Sequence, residues 1–312
     1  GVSQCRQQLD DTLSLTDASW ANRHVYAALG PHATDTVSPE LWQRVARLAR
    51  EHELVIHAHM AQSREEYERV QERDGCSPVE LLARTGVLEA PRALLVHAIY
   101  ASDDDLDLLD SERHILGYCP LSQSQFAFPA SVNSWLAHNV PWIVATDCAP
   151  SNDSMNVQRE LAVTAASRGM LTTGSEAMRA FQRQGSLESV QRVDAFRQDD
   201  FDAACVLGDP SFLLSRVWSL AGRLHPRVKA GVISVGALAN LLVLDPSSPV
   251  FWPGGDVLRV LAYADIGAAI QATMIAGRFR RRDSTEDDEL YRQHRDEADR
   301  RLRDHLGRLG LA

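Results

Sequence analysis

The sequence contains no long apolar run, and this absence excludes a membrane-spanning helix as its organising element. Such a helix needs about 20 consecutive apolar residues, and no segment of the 312 residues approaches that length. The N-terminal stretch 1–4 also lacks the basic, apolar and small-residue regions of a secretory signal. We therefore expect a cytoplasmic protein that has no membrane among its partners.

Paired cysteines are missing as well. The five cysteines are odd in number, widely spaced and contain no C-x-x-C pair. This pattern argues against a disulfide framework and against a zinc knuckle. It is typical of a protein from a reducing compartment.

An excess of basic residues is the third absence. The chain has 32 Lys and Arg against 42 Asp and Glu, a formal charge of −10. A surface of this sign disfavours nucleic acid and anionic membranes as main partners. A small polar or heterocyclic molecule is the expected partner, and at this length the chain can bury a full hydrophobic core.

What the sequence does contain, between residues 25 and 165, is a regular alternation of short apolar runs with helical segments. Strands are predicted at five places: 25–29, 54–59, 93–97, 114–119 and 141–146. Parallel strands need a crossover of about a dozen residues or more, which these spacings provide. The pattern predicts parallel β/α units of an α/β fold, five here against the eight of a closed barrel.

The predicted helices have recognisable starts. Ser38 stands before a proline and a periodic apolar face, as an N-cap does. Ser63 with Glu66, and Ser77 with Glu80, have the spacing of a capping box, in which serine and glutamate side chains bond reciprocally to the backbone of the first turn.

After residue 156 the pattern changes. Residues 157–230 are predicted mainly helical, with a polar insertion at about 165–215. Short strands follow at 231–236 and 239–245, and 270–275 together with Gly277-Arg-Phe279 is predicted to add another. An amphipathic helix is predicted at 287–309, able to pack on its own barrel or on a neighbouring subunit, so a homo-oligomer is compatible with the sequence. The expected domains are a barrel domain at 1–230, a small β segment at 231–280 and a C-terminal helix at 281–312.

Three predicted strands end on residues that bind metals or transfer protons. His57 and His59 leave the same face of one strand, and His59 is last. His97 and Asp147 end two others. Side chains at the C-terminal ends of parallel strands point into a barrel mouth, where metal sites are built.

Each of these residues also has a structural interpretation. A single strand histidine is more often a satisfied core residue, and His97 can bond to the backbone. Asp147 can cap the loop that follows it, an alternative we weigh evenly with metal binding when this residue is taken alone. His32, in Gly30-Pro31-His32, can be an exposed loop histidine or line the same mouth.

In order and content these motifs resemble the amidohydrolase superfamily, and within it the branch of atrazine and triazine hydrolases, S-adenosylhomocysteine/methylthioadenosine deaminases and guanine deaminases. The match runs from about residue 26 to 277. The motifs similar to those of the fourth to eighth strands are Gly30-Pro-His32, His59-Met-Ala-Gln-Ser63, His97, Cys119-Pro-Leu-Ser-Gln-Ser124 and Thr146-Asp-Cys-Ala-Pro-Ser-Asn152.

The resemblance implies a TIM-like (β/α)8 metal-dependent hydrolase barrel plus part of a small β domain. It implies one divalent metal ion, zinc before iron, held by His59 and Asp147 together with a histidine pair from the family's first strand. Asp147 also accepts the proton of the attacking water, and His97 stabilises developing charge. The substrate-binding residues implied are His32, Gln62, His97 and Ser151.

Two departures from the family pattern bear on activity. Gln62 stands where the family has a glutamate that shuttles a proton, and an amide cannot donate and regain a proton at neutral pH. Nothing before His32 provides the H-x-H pair of the family's first strand, so the first three β/α units are expected to lie outside this sequence.

The function expected from these residues is a metal-dependent hydrolase for a C–N bond of a nitrogen heterocycle or related amidine, of deaminase or aminohydrolase type, with C–Cl hydrolysis as a variant. Asp147, His97 and Gln62 are the expected catalytic residues. The alternative is a catalytically inactive fragment or pseudoenzyme that acts as a binding or assembly protein, which the two departures favour.

Overall fold

The computed structural model describes residues 2–22, 24–128, 132–166, 206–281 and 285–308. Five parallel strands lie side by side in chain order in one sheet. They are β1 Ala28–Ala33, β2 Val55–Met60, β3 Arg92–His97, β4 His114–Tyr118 and β5 Trp142–Val144. The predicted parallel α/β arrangement is therefore confirmed for the described residues.

The first strand differs from its prediction. β1 begins three residues later than expected and includes Gly30-Pro31-His32, which the sequence pattern places after the strand. The pairing register with β2 shifts between Leu29 and His32. Proline cannot donate to a ladder hydrogen bond, and β1 is an edge strand, where proline is tolerated.

Helices follow or precede the strands as parallel crossovers require. They are α1 Val2–Ser14, α2 Ala18–Ala21, α3 Pro39–His52, α4 Arg64–Asp74, α5 Pro78–Arg84, α6 Asp103–Leu106, α7 Pro120–Gln125, α8 Val132–Ala137, α9 Val157–Ala166, α10 Pro210–Val217, α11 Val257–Tyr263 and α12 Thr285–Arg308. Short 3-10 turns lie at Val87–Glu89, Ala149–Ser151, Ala221–Arg223, Pro249–Phe251 and Gly267–Ala269. None of these described helices is both long and apolar enough to cross a membrane.

The serine caps are present, but one predicted capping box is incomplete. Ser77 and Glu80 form the full reciprocal box at the start of α5. At α4, Ser63 accepts from the Glu66 amide, yet the Glu66 carboxylate does not return to Ser63. It bonds instead to the backbone of the preceding loop, so the predicted box at residues 63–66 is wrong on one side.

Strands β3 to β5 are buried on both faces, as in most parallel sheets, whereas Ala28 and Gly30 of β1 and His57 of β2 are exposed on one face. On β3, Ala93 and Leu95 pack into the large core beneath the helices. The alternate residues Leu94 and Val96 belong to a smaller cluster on the other face, which includes Leu220. The side chains at the strand ends are thereby held on a rigid support.

A second, antiparallel sheet of three strands has the order β6 Leu241–Leu244, β7 Ile270–Ile275 and β8 Arg278–Arg281. The strand predicted at 231–236 is wrong, because this segment forms turns. Gly231 and Gly236 have left-handed φ angles of 71° and 82°. A Cβ at Gly231 would lie 2.0 Å from the Trp218 carbonyl oxygen, so this turn requires glycine.

Most of the insertion predicted at about 165–215 lies outside the described residues. The helices α9 and α10 flank it. The terminal helix was predicted at 287–309 and is found as α12, beginning two residues earlier. The predicted domain boundaries at 231 and 281 stay predictions.

Candidate metal centre

The strand order and register bring four candidate site residues to one end of the sheet. His97, the last residue of β3, pairs with Met60, the residue after His59 on β2. Ala33, the residue after His32, pairs with His59. Asp147 follows β5 by three residues. All four side chains thus belong to the C-terminal end of the sheet, as the sequence predicted.

His59 is oriented by the backbone of the neighbouring strand. Its Nδ1 lies 3.1 Å from the carbonyl oxygen of His32. A carbonyl accepts a hydrogen bond and does not donate one, so the proton belongs on Nδ1 and the lone pair on Nε2. This is how proteins prepare a histidine to bind a metal through its second nitrogen. The His32 ring lies edge-on to it, with ring centroids 5.1 Å apart.

His97 is buried and uncharged. Only 6% of it is exposed. Burial, aided by nearby His59 and opposed by Asp147 and Gln123, lowers the pKa of His97 to about 4. At neutral pH its ring therefore has one nitrogen lone pair free to accept a donor or bind a metal.

Asp147 is held as a carboxylate by two donors. Its Oδ2 accepts the Ser122 hydroxyl at 2.6 Å, and its Oδ1 accepts the Cys148 amide at 2.7 Å. Partial burial acts to raise its pKa, but these bonds and nearby His97 outweigh burial, so the pKa of Asp147 is below its ordinary value. Asp147 therefore does not merely cap its own loop; it also faces a histidine.

Together these side chains form a donor cluster suited to a divalent metal ion. Ligand atoms of His59, His97 and Asp147 all lie within 4.8 Å of one another. Two imidazoles and a carboxylate match the three protein ligands of a catalytic zinc site. Nδ1 of His97 is buried and makes no hydrogen bond within the described residues. The donor types fit a divalent metal ion, and the unbonded His97 nitrogen remains available to a substrate.

Backbone strain is concentrated at the same place. His32, His97 and Asp147 adopt left-handed φ angles of 93°, 80° and 62°. Such angles are uncommon for residues other than glycine and cost of the order of 1 kcal/mol or more each. Strained residues persist only where the surrounding structure holds the backbone in place. Such strain is common at functional sites, where each side chain must point in one direction.

Two cavities meet at Asp147. The first, of about 230 Å³, is lined by Gln62, Ser63, His97, Ser122, Gln123, Phe126, Phe128 and Asp147. The second, of about 450 Å³, contains His32, His57 and His59 in its wall, and Asp147 again. Gln62 and His97 therefore share a cavity, whereas His32 lies in the other.

Ser151 is placed differently from the other substrate-binding candidates. It is buried, its hydroxyl donates to the Cys148 carbonyl at 3.0 Å, and it lines neither of these two cavities. It also contributes a hydrogen bond that lowers the pKa of Asp147. Ser151 therefore stabilises the loop that carries Asp147.

The sequence interpretation did not single out Ser122, Gln123, Phe126 or Phe128. Ser122 and Gln123 belong to the motif Cys119-Pro-Leu-Ser-Gln-Ser124, which resembles the loop after the family's seventh strand. This resemblance could have identified both residues as part of the site. The two phenylalanines have ring centroids 5.9 Å apart, and only the folded loop shows that both face the cavity.

The chain is similar to known amidohydrolases along most of its length. A profile described as the Amidohydrolase family matches residues 5–183. A 5-methylthioadenosine/S-adenosylhomocysteine deaminase of Halothermothrix orenii is 26% identical over 91% of this chain and 61% of its own length. The enzyme of that description from Nitratidesulfovibrio vulgaris is 32% identical over 82% of this chain and 51% of its own.

A solved structure shows the same fold. The zinc-bound crystal structure of an adenosine deaminase from Xanthomonas campestris superposes with a TM-score of 0.67 at 22% identity, covering 86% of this chain and 56% of that one. The chain thus spans roughly half to three fifths of the length of these proteins. The expected superfamily is confirmed, and the relatives named as 5-methylthioadenosine/S-adenosylhomocysteine deaminases agree with the expected branch. From the family profile, which covers more than half of its residues, we conclude that the chain belongs to the amidohydrolase family.

Proposed function

We propose that this chain carries the metal-binding and catalytic residues of a hydrolase for a C–N bond of a nitrogen heterocycle or related amidine. The observation that carries the proposal is the cluster of His59, His97 and Asp147 at the ends of parallel strands. Histidines that only stabilise the fold do not require a buried, uncharged ring such as that of His97 to face a half-buried carboxylate such as that of Asp147. This arrangement is typical of functional sites. Membership of a hydrolase family and deaminase relatives support the same reaction class.

The proposed ligands are His59 through Nε2 and Asp147 through its carboxylate. Zinc is preferred over iron because the solved adenosine deaminase to which the chain is similar holds zinc. When bound, such an ion is a Lewis acid that lowers the pKa of a coordinated water. We assign His97 to the substrate side, because it shares a cavity with Gln62 while His59 lines the other one.

Each remaining role follows from the surroundings of a side chain. Asp147 is ionised and can accept a proton from the attacking water. The Ser122 hydroxyl keeps its carboxylate oriented during that transfer. His97, neutral at pH 7, donates a hydrogen bond to the atom on which negative charge develops. Gln62 offers an amide to a ring nitrogen or carbonyl of the substrate.

The substrate class is a flat ring with polar edges. Phe126 and Phe128 supply apolar faces on which a heterocycle can stack, and Gln62 and Gln123 supply amides. His32 and Ser151 complete our proposed binding residues, His32 from the second cavity and Ser151 through the Asp147 loop. Adenine nucleosides are the first substrates to test, because relatives are named as adenosine-type deaminases.

The test is a turnover assay of the full chain supplied with zinc. Ammonia release is measured with adenosine and S-adenosylhomocysteine, and chloride release with a chlorinated triazine. The proposal expects zinc-dependent release of one product, lost in Asp147→Asn. Zinc-independent release, or release unaffected by that substitution, contradicts it.

The second candidate is a binding or assembly protein without catalysis. Gln62 favours it, because this side chain cannot move a proton to a leaving group. The two candidates differ in one result: the catalytic proposal predicts turnover with bound zinc, and the binding candidate predicts ligand binding with zinc present and no turnover over hours.

A further inference from the structure

We propose that two buried glutamates, Glu66 and Glu160, are positioning residues that fix the loops carrying the site, each joining the loops after two neighbouring strands. Neither touches the cluster of His59, His97 and Asp147. The importance of these loops for metal and substrate binding rests on the proposed function. The hydrogen bonds of the two glutamates are observed independently of that function.

Glu66 joins the loops after β1 and β2. It is 1% exposed. Its Oε2 accepts the Gln62 amide at 2.7 Å, and its Oε1 accepts the Ala61 amide at 3.1 Å and the Thr34 hydroxyl. Thr34 lies two residues beyond His32. One carboxylate therefore holds both the Gln62 backbone and the segment after His32.

Glu160, on α9, joins the first turn of α7, which follows β4, to the loop after β5. It is fully buried. Its Oε2 accepts the Leu121 amide at 3.0 Å, and its Oε1 accepts Nδ2 of Asn152, which also donates to the carbonyl of Thr146. Thr146 directly precedes Asp147. The residue after Leu121 is the serine that donates to the Asp147 carboxylate.

Helix capping does not account for Glu66. At α5, with the same serine-to-glutamate spacing, Glu80 accepts the Ser77 amide and completes a capping box. At α4, the Glu66 carboxylate turns away from Ser63 and bonds to the loop. Burying a carboxylate is costly unless donors surround it, and here the donors come from the site loops.

A matched control exists in the chain. Asp105 is also buried, at 4% exposure, and accepts the Ser102 amide at 3.0 Å and the Ser77 hydroxyl. It joins the first turns of α5 and α6. Asp105→Asn therefore removes a buried carboxylate that bridges the starts of two helices and accepts no donor from a residue lining either cavity.

The experiment compares Glu66→Gln, Glu160→Gln and Asp105→Asn in the full chain, with two readouts. Amide hydrogen exchange should accelerate at least about 10-fold at residues 61–62 in Glu66→Gln only, and at residue 121 in Glu160→Gln only, because an amide nitrogen then replaces one accepting oxygen. The Kd for zinc should rise about 10- to 100-fold in both glutamine variants and stay within about 2-fold in Asp105→Asn.

Two outcomes overturn the positioning role: unchanged exchange at these amides, or equal changes in all three variants. If a glutamine variant does not fold, Thr34→Val and Asn152→Ala remove one donor each and leave the carboxylate, with the same local exchange pattern expected. A wild-type chain that binds no zinc and turns over no substrate defeats the proposed function, while the exchange pattern still decides the role of the two glutamates.

Discussion

The imidazole rings of His59 and His97 lie face to face, with centroids 5.4 Å apart and planes inclined by only 9°. Nε2 of His97 lies 3.9 Å from Oδ2 of Asp147. His59 and Asp147 can bind one cation beside the His97 ring, and burial keeps His97 uncharged, so this ring does not repel the ion. The predictions below follow from this geometry.

Replacing Asp147 with asparagine should lower kcat about 10²- to 10⁴-fold, because the amide cannot accept the proton of the attacking water. The Cys148 amide can still donate to the asparagine oxygen, and the Ser122 hydroxyl can accept from the new NH2 group, so the melting temperature should change little. Steady-state kinetics with zinc supplied measure the effect. Wild-type turnover in this variant removes Asp147 from the mechanism.

His97→Gln should lower kcat about 10²- to 10³-fold, the usual loss when one donor to developing charge is removed, while zinc is retained. Zinc content and kcat are measured on the same preparation. A loss of zinc as large as that in His59→Asn would show that His97 is a ligand and not a substrate-side donor.

Gln62→Glu tests the leaving-group argument. A carboxyl group can donate and regain a proton where the amide cannot, so ammonia release should rise about 10-fold or more while chloride release, which needs no protonation, stays level. The ratio of the two rates is the measurement. An unchanged ratio means that Gln62 does not face the leaving group.

His114 should make folding sensitive to acid. Its ring is 1% exposed, with Nδ1 accepting the Asp110 amide at 2.8 Å and Nε2 3.0 Å from the Leu88 carbonyl oxygen. Burial, opposed by the Leu88 bond, lowers the pKa of His114 below its ordinary value of 6.5. Protonation thus favours the unfolded chain, and the stabilisation is present above pH 6.5 and lost as the pH falls below it.

The corresponding measurement is the free energy of unfolding from pH 7.5 to 5 for wild type and His114→Gln. The wild type should lose more stability on acidification, by at most about 1.4 kcal/mol per pH unit from this group. Other buried histidines contribute equally to both proteins, so parallel curves would contradict the prediction.

The sequence predicted the parallel units and the edge at which His59, His97 and Asp147 meet, because apolar periodicity and strand-end position are local signals. It misplaced β1 and wrongly predicted a strand at 231–236. Both errors involve glycine or proline, whose effect depends on an edge position or on a close approach such as that of Gly231 to Trp218.

Other features depend on contacts between distant residues. Glu66 has the sequence spacing of a capping residue, and only the folded loop after β1 shows why its carboxylate turns away. Likewise, the pairing of Glu160 with Leu121 joins residues 39 positions apart. Local sequence patterns contain no information about partners that are distant in the chain, so these positioning contacts were not predictable from one sequence.

The most direct test of the account is the zinc content of the purified full chain after equilibration with zinc and removal of excess metal. Elemental analysis of the wild type is compared with His59→Asn combined with Asp147→Asn, and with Asp105→Asn as control. The account predicts one zinc per chain in the wild type and control and none in the double variant. Equal zinc content in all three proteins, or none in the wild type, would contradict it.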